Sequence, residues 1–249
     1  MMTAFKFLNN LLIHIFMIYI LNNLIQKKKT SFLFALAFLL SNLVTGQKYK
    51  DFDKDHHIGL HHWEIPSKDP DRIILNFNGD PSTKRAVTWR TDLSVKTAKA
   101  QIAIAGVNSK FAKNAKTYKA NTEEFDLGLY KANNSFVVKY HSVVFEELNP
   151  NTTYAYRVGD GDNWSEWIQF KTANTDYNST QFVYFGDAQN DILSHWSRVI
   201  RMAYQTAPNA SFVIHAGDMV DTAHRDYEWA QWFKAGGFIH RQWTTIPVV

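Results

Sequence analysis

Six short runs between Arg72 and Ala173 alternate apolar with polar residues, and then the alternation stops. They are RIILNFNGD, RAVTWRTD, AQIAIAG, SFVVKYHSVVFEEL, TTYAYRVG and SEWIQFKTA, separated by clusters of Gly, Asp, Asn and Ser. Successive side chains of a strand point to opposite faces, so a period of two marks a half-buried strand. Several such strands in succession predict an all-β sandwich, with Trp89 in the core between its sheets. The polar stretch TANTDYNST, Thr172 to Thr180, reads as a linker. Beyond it the period changes. Gln181–Phe185 and Phe212–His215 are compact apolar strands, and Ile246–Val249 begins a third. Between them, Ile192, Trp196, Val199, Ile200 and Ala203 are spaced for one face of a helix over Ile192–Gln205, and Trp229, Trp232 and Phe233 stripe a second over Tyr227–Lys234. Strand, helix, strand, helix, strand implies parallel strands joined by crossovers. The expected fold is therefore multi-domain: an all-β sandwich followed by the start of an α/β domain.

Both of the first two α/β strands run straight into Gly-Asp, in FVYFGDAQND and FVIHAGDMVD. An α/β sheet places its ligands at the carboxyl ends of its parallel strands. Asp187 and Asp218 stand just past two such ends, and the preceding glycines are expected to allow the sharp exit from each strand. Two carboxylates brought into one crevice repel unless a cation lies between them, and carboxylate oxygens suit hard divalent or trivalent ions. Either aspartate alone reads as a turn residue or helix cap; the repetition at one sheet edge is what predicts a metal site with Asp187 and Asp218 as ligands. His215 alternates with apolar residues and reads as a core histidine. His224 and His240 have no spacing argument that ties them to the cleft.

The segment LNPNTTYAYRV, with Leu148, Pro150, Thr152 and Tyr154, resembles the corner and following strand of fibronectin type III domains, where a tyrosine hydroxyl bonds to the corner's backbone. GDAQ followed by GDMVD resembles the first two blocks of the calcineurin-like metallophosphoesterases, and a fibronectin-like domain directly before them resembles the purple acid phosphatases. That resemblance divides the chain into a targeting segment over 1–46, a polar lead over 47–70, a fibronectin III-like domain over 71–173 and the incomplete start of a metallophosphoesterase domain over 181–249. It implies hydrolysis of phosphate monoesters at a dinuclear metal centre, iron paired with Zn, Mn or Fe. Asp187 matches a ligand of one metal and Asp218 the carboxylate that bridges both. Asp221 stands where purple enzymes carry a tyrosine whose charge transfer to ferric iron gives the colour, which implies a colourless enzyme or another metal pair. Gln189 stands where many relatives carry a ligating histidine; a pocket hydrogen bond is its expected role, with metal ligation through its amide oxygen as the alternative. The family's next block, G-N-H, is expected where the chain reads TTIPVV, so the resemblance implies a C-terminally truncated fragment, inactive alone, with its catalytic acid among the absent residues. Two other readings stay open: an exported phosphodiesterase or nucleotidase of the same superfamily, and a non-catalytic binding or adhesion protein whose working part is the sandwich.

The chain has no cysteine, which excludes disulfides, thiolate metal sites and a cysteine nucleophile. Its net charge of +4 comes entirely from Lys6, Lys27, Lys28 and Lys29, so the remainder is neutral and nothing in the balance points to nucleic acid. KKKTSFLFALAFLLSNLVTGQ reads as a secretory signal, with Lys27–Lys29 as the positive region, Phe32–Leu40 as the apolar one and cleavage before Gln47. An N-terminal anchor is the alternative, although the apolar run falls short of the ~20 residues that span a bilayer. The apolar stretch Leu11–Leu21 ahead of it points to a mis-assigned start near Lys27 or to a real spanning helix. The expected location is exported, periplasmic or secreted, with a phosphate-ester substrate and no nucleic-acid partner. His56, His57, His61 and His62 read as a solvated surface segment, with metal binding as the rival.

Overall fold

The computed structural model describes residues 60–129, 135–176 and 180–248. The expected targeting segment, His56 and His57 therefore lie outside the described residues, as does part of the expected linker. No described helix is long and apolar enough to cross a membrane.

The alternating runs form strands β1 (Asp71–Asn76), β2 (Arg85–Thr91), β3 (Lys99–Ile104), β6 (Ser135–Phe145), β7 (Thr153–Gly159) and β8 (Ile168–Lys171). Two further strands, β4 (Lys116–Lys119) and β5 (Asn121–Leu129), lie between β3 and β6. The order β4-β3-β7-β8 makes one sheet of the sandwich, and β5, β6, β2 and β1 belong to the other. Their facing side chains, including Trp89, Tyr156, Phe145 and Leu75, form a closed core in which all four are fully buried. At the expected corner the Tyr154 hydroxyl accepts a hydrogen bond from the Asn149 backbone N–H at 2.8 Å.

The second half holds strands β9 (Phe182–Phe185), β10 (Phe212–Ala216) and β11 (Thr244–Val248), all parallel, with β10 between the other two. Helices α1 (Ser197–Thr206), α2 (Asp226–Gly236) and the short α3 (Ile239–Gln242) connect them. The helical stretch expected from Ile192 begins instead as a π-helical turn over Ile192–Trp196, entered from Asp191 in a left-handed conformation. Ile192, Trp196 and Ile200 pack inward as their spacing predicts, whereas Val199 is half exposed.

β1 joins the two halves. It pairs antiparallel with β2 of the sandwich and parallel with β11, Leu75 opposite Thr244 and Asn76 opposite Thr245. The result is one seven-stranded sheet, β5-β6-β2-β1-β11-β10-β9, running through both halves. The Asn76 side-chain amide reinforces the join by donating to the Thr245 carbonyl at 2.9 Å.

The helices cover one face of the parallel strands. Phe185 and Val213 meet Trp196, Ile200, Trp232 and Ile239 there in a second core cluster. On the other face Phe182 and Tyr184 are exposed, and Phe182 stacks on Phe212 at 5.2 Å. A second, quite different seam binds sandwich to helix. Arg72, buried and in a left-handed backbone conformation (φ 48°), grips Asp226 at the start of α2 through both guanidinium amino groups, at 2.5 and 2.6 Å. Arg90 lies behind it, bidentate on Asp71 at 2.8 and 2.6 Å.

Candidate metal centre

β9 and β10 are direct neighbours in register, Phe185 opposite His215. Both strands leave the sheet at the same edge, so Asp187 and Asp218 stand two and three residues beyond the Phe185–His215 pair. Both are exposed. The conformational device differs from the expected one. The aspartates themselves take the left-handed region, with φ of 59° at Asp187 and 50° at Asp218. Gly217 joins Asp218 there at φ 84°, whereas Gly186 has no positive φ. A short polar side chain tolerates this region better than a bulky or branched one. Strained backbone of this kind at two matching positions is a recurrent property of functional edges.

The Gln189 amide donates to Asp187 Oδ1 at 3.2 Å, which fixes one carboxylate oxygen and leaves the other open. Asp221, further along the second turn, is half exposed and lies 3.4 Å from Arg225. That arginine also meets Glu228 at 3.1 Å, and Glu228 accepts from the Thr222 backbone N–H at 2.9 Å. The hydrogen bond to Glu228, then the nearby Tyr227, raise the Arg225 pKa. Asp221 thus belongs to a small ion-paired loop that ties the second turn to α2.

His215 and His240 do not join this edge. His215 is buried in a ring of Phe185, Trp196 and Trp232, at centroid distances of 5.5, 5.7 and 5.2 Å. Burial pushes its imidazole down to about 4, so it is neutral at physiological pH. His240 is stacked on Trp232 at 3.9 Å, and burial, followed by the proximity of His215, takes it down to about 3. It sits on α3, which feeds the opposite, amino-terminal end of β11. His224 is exposed in the loop before α2. His61 stacks on Trp63 at 4.9 Å.

By donor type, two exposed carboxylates at one sheet edge suit a hard cation. By number they are a partial set: among the described residues there is no group of three or more His, Cys, Asp or Glu able to hold a metal ion. Asp187 and Asp218 are thus two carboxylate donors at one sheet edge.

Residues 70–172 match the purple acid phosphatase N-terminal domain family, which accounts for the sandwich from β1 to β8. Over the sandwich, the chain is similar to purple acid phosphatases. Solved structures extend the likeness of fold across the seam. The purple acid phosphatase PPD1 from yellow lupin (Lupinus luteus) seeds superposes with a TM-score of 0.60 at 18% identity, over 74% of this chain and 35% of that one. A PhoD structure superposes with a TM-score of 0.50 at 14% identity, over 74% of this chain and 39% of that one. The chain therefore spans well under half the length of these neighbours. No curated protein sequence matches it.

Proposed function

We propose that this chain forms part of an exported, metal-dependent hydrolase of phosphate monoesters, in which Asp187 and Asp218 are ligands of a dinuclear centre of iron with Zn, Mn or Fe. The observation that carries the reading is the pairing of β9 with β10, which brings both Gly-Asp turns to one edge. The match of the sandwich to a purple acid phosphatase domain supports the choice of phosphate chemistry. A centre of this kind, when bound, activates water and neutralises the charge that develops on a transferring phosphoryl group.

The chain's own residues have distinct parts in that arrangement. Asp187 supplies one oxygen while Gln189 holds the other, so the ligand is oriented before the ion arrives. Asp218, on the neighbouring strand end, is placed to share an ion with it. Asp221 takes the family's tyrosine position, so the centre lacks the phenolate that colours purple enzymes. The sandwich, continuous with the site's sheet through β1 and β11, fixes the edge from behind.

The test is hydrolysis of p-nitrophenyl phosphate and of its bis-ester after metal loading, on this chain and on a polypeptide extended to its neighbours' length. Chelator-sensitive activity on the monoester, confined to the extended form and lost in Asp218→Asn, is expected. Equal activity after Asp218→Asn would overturn the assignment. Preference for the bis-ester would move the enzyme to a phosphodiesterase.

A further inference from the structure

A cavity of about 360 Å³ opens at the seam between sandwich and helices, lined among others by Trp63, Arg72, Arg201, Phe233, Lys234 and Arg241. It lies at the end of the molecule away from the aspartate edge. Asp71 to Ile73, which contribute to its wall, precede the Leu75–Thr244 pair and so flank the amino-terminal end of the parallel strands. Asp187 and Asp218 stand beyond the carboxyl ends.

Four cations line this cavity and one acid does. The acid, Asp71, has both carboxylate oxygens occupied by Arg90. Among the cations, Arg72 is held by Asp226 and Arg241 by Glu166. Arg201 and Lys234 are exposed and form no ion pair with a described residue. Arg72 is itself incompletely satisfied. Its side chain is 3% exposed, its amino groups serve Asp226 and Tyr140, and its Nε–H has no acceptor among the described residues. Buried donors are almost always paired, so this one leaves positive charge incompletely compensated directly behind the cavity wall. Phe233 and Trp63 add aromatic surface, and the Arg72 guanidinium lies 5.9 Å over the Phe233 ring. The volume is in the range of small-molecule sites and exceeds what a bare inorganic anion fills.

We infer that this seam cavity binds a small organic anion of the phosphate or phosphonate class, its charged head among Arg72, Arg201 and Lys234 and its apolar body against Phe233 and Trp63. The site is independent of the metal reading: none of its residues belongs to the aspartate edge. Because Arg72 and α2 both line it, occupancy would also brace the junction between sandwich and helices.

Phenylphosphonate, which carries the head and an aromatic body and resists hydrolysis, is the probe. Titrated calorimetrically into the intact chain in EDTA at low ionic strength, it is expected to bind saturably. Arg201→Gln with Lys234→Gln removes two charge-assisted contacts at exposed positions and is expected to weaken binding about tenfold or more, with an unchanged melting temperature in the absence of probe. Roughly 1 M salt, where the screening length is about 3 Å, is expected to weaken it as well. Asp187→Asn with Asp218→Asn is expected to leave it unchanged, which keeps this site's failure separate from that of the metal centre. No saturable binding, equal binding by the Arg201/Lys234 variant, equal binding of uncharged benzyl alcohol, or loss on changing the two aspartates would each overturn the inference.

Discussion

Replacing Asp226 with asparagine tests how the two halves are joined. Asp226 is 7% exposed and Arg72 3%, and the two share a bidentate pair at 2.5 and 2.6 Å. Burial alone would lower the Arg72 pKa, but the hydrogen bond and charge of Asp226, with help from Tyr140 and Asp71, raise it instead. Arg90 lies 3.8 Å from the same carboxylate, so one substitution leaves two buried guanidinium groups facing a neutral amide. Breaking a buried pair from one side costs about 3–5 kcal/mol, because the remaining charge stays desolvated. For a folded unit of this size each kcal/mol lowers the melting temperature by roughly 2–4 °C, so Asp226→Asn is expected to lower it by roughly 6–20 °C. The exposed Lys84–Glu146 pair is the internal control, with side chains 39% and 55% exposed. Its loss through Lys84→Gln is expected to cost about 1 kcal/mol or less. Differential scanning calorimetry of the two variants beside the parent decides. Changes of equal size would refute the claim that this pair, rather than apolar packing alone, secures α2 to β1.

Acid is expected to destabilise the fold in a defined window. His215, His141 and His240 are all buried, with imidazoles pushed down to about 4, about 4 and about 3 respectively, from an ordinary value near 6.5. The unfolded chain takes up these protons at higher pH than the folded one. Stability is therefore full above pH 6.5 and is lost as pH falls from there toward 4, by about 1.4 kcal/mol per pH unit for each histidine. Urea midpoints at pH 7.5 and 5 check this, and a midpoint that stays level or rises toward pH 5 would contradict it. Gly236→Ala is expected to destabilise by roughly 1–3 kcal/mol, since the new methyl would stand 2.0 Å from the ring of His240, itself clamped against Trp232. Its urea midpoint beside that of Ala235→Gly in the same helix separates this clash from a general helix-propensity effect.

The strands that bury one face were legible because burial imposes alternation. β4 and β5 were not. Almost every side chain of KTYK faces solvent, as do those of NTEEFDLGL that the structure places apart from Leu127, and β5 is an edge strand paired only with β6. Charged edges discourage further pairing and carry no apolar period to read. The junction of β1 with β11 was equally hidden, because it joins residues 169 positions apart and leaves no local mark. The two Gly-Asp turns do follow neighbouring parallel strands, but the left-handed conformations fall on the aspartates and only one of the glycines. His215 followed from its strand's alternation. The seam cavity did not, since Arg72, Arg201, Lys234 and Arg241 come from four separate elements or their margins and share no spacing.

The central claim is that Asp187 and Asp218 converge on a shared ion, and a calorimetric Mn²⁺ titration of the parent, each single Asn variant and the double variant tests it directly. Shared ligation predicts non-additive losses, each single substitution weakening binding nearly as much as both together, by about tenfold or more. Mn²⁺ binding unchanged in all three variants, or weakened by only one of the single substitutions, would show that the two aspartates share no ion.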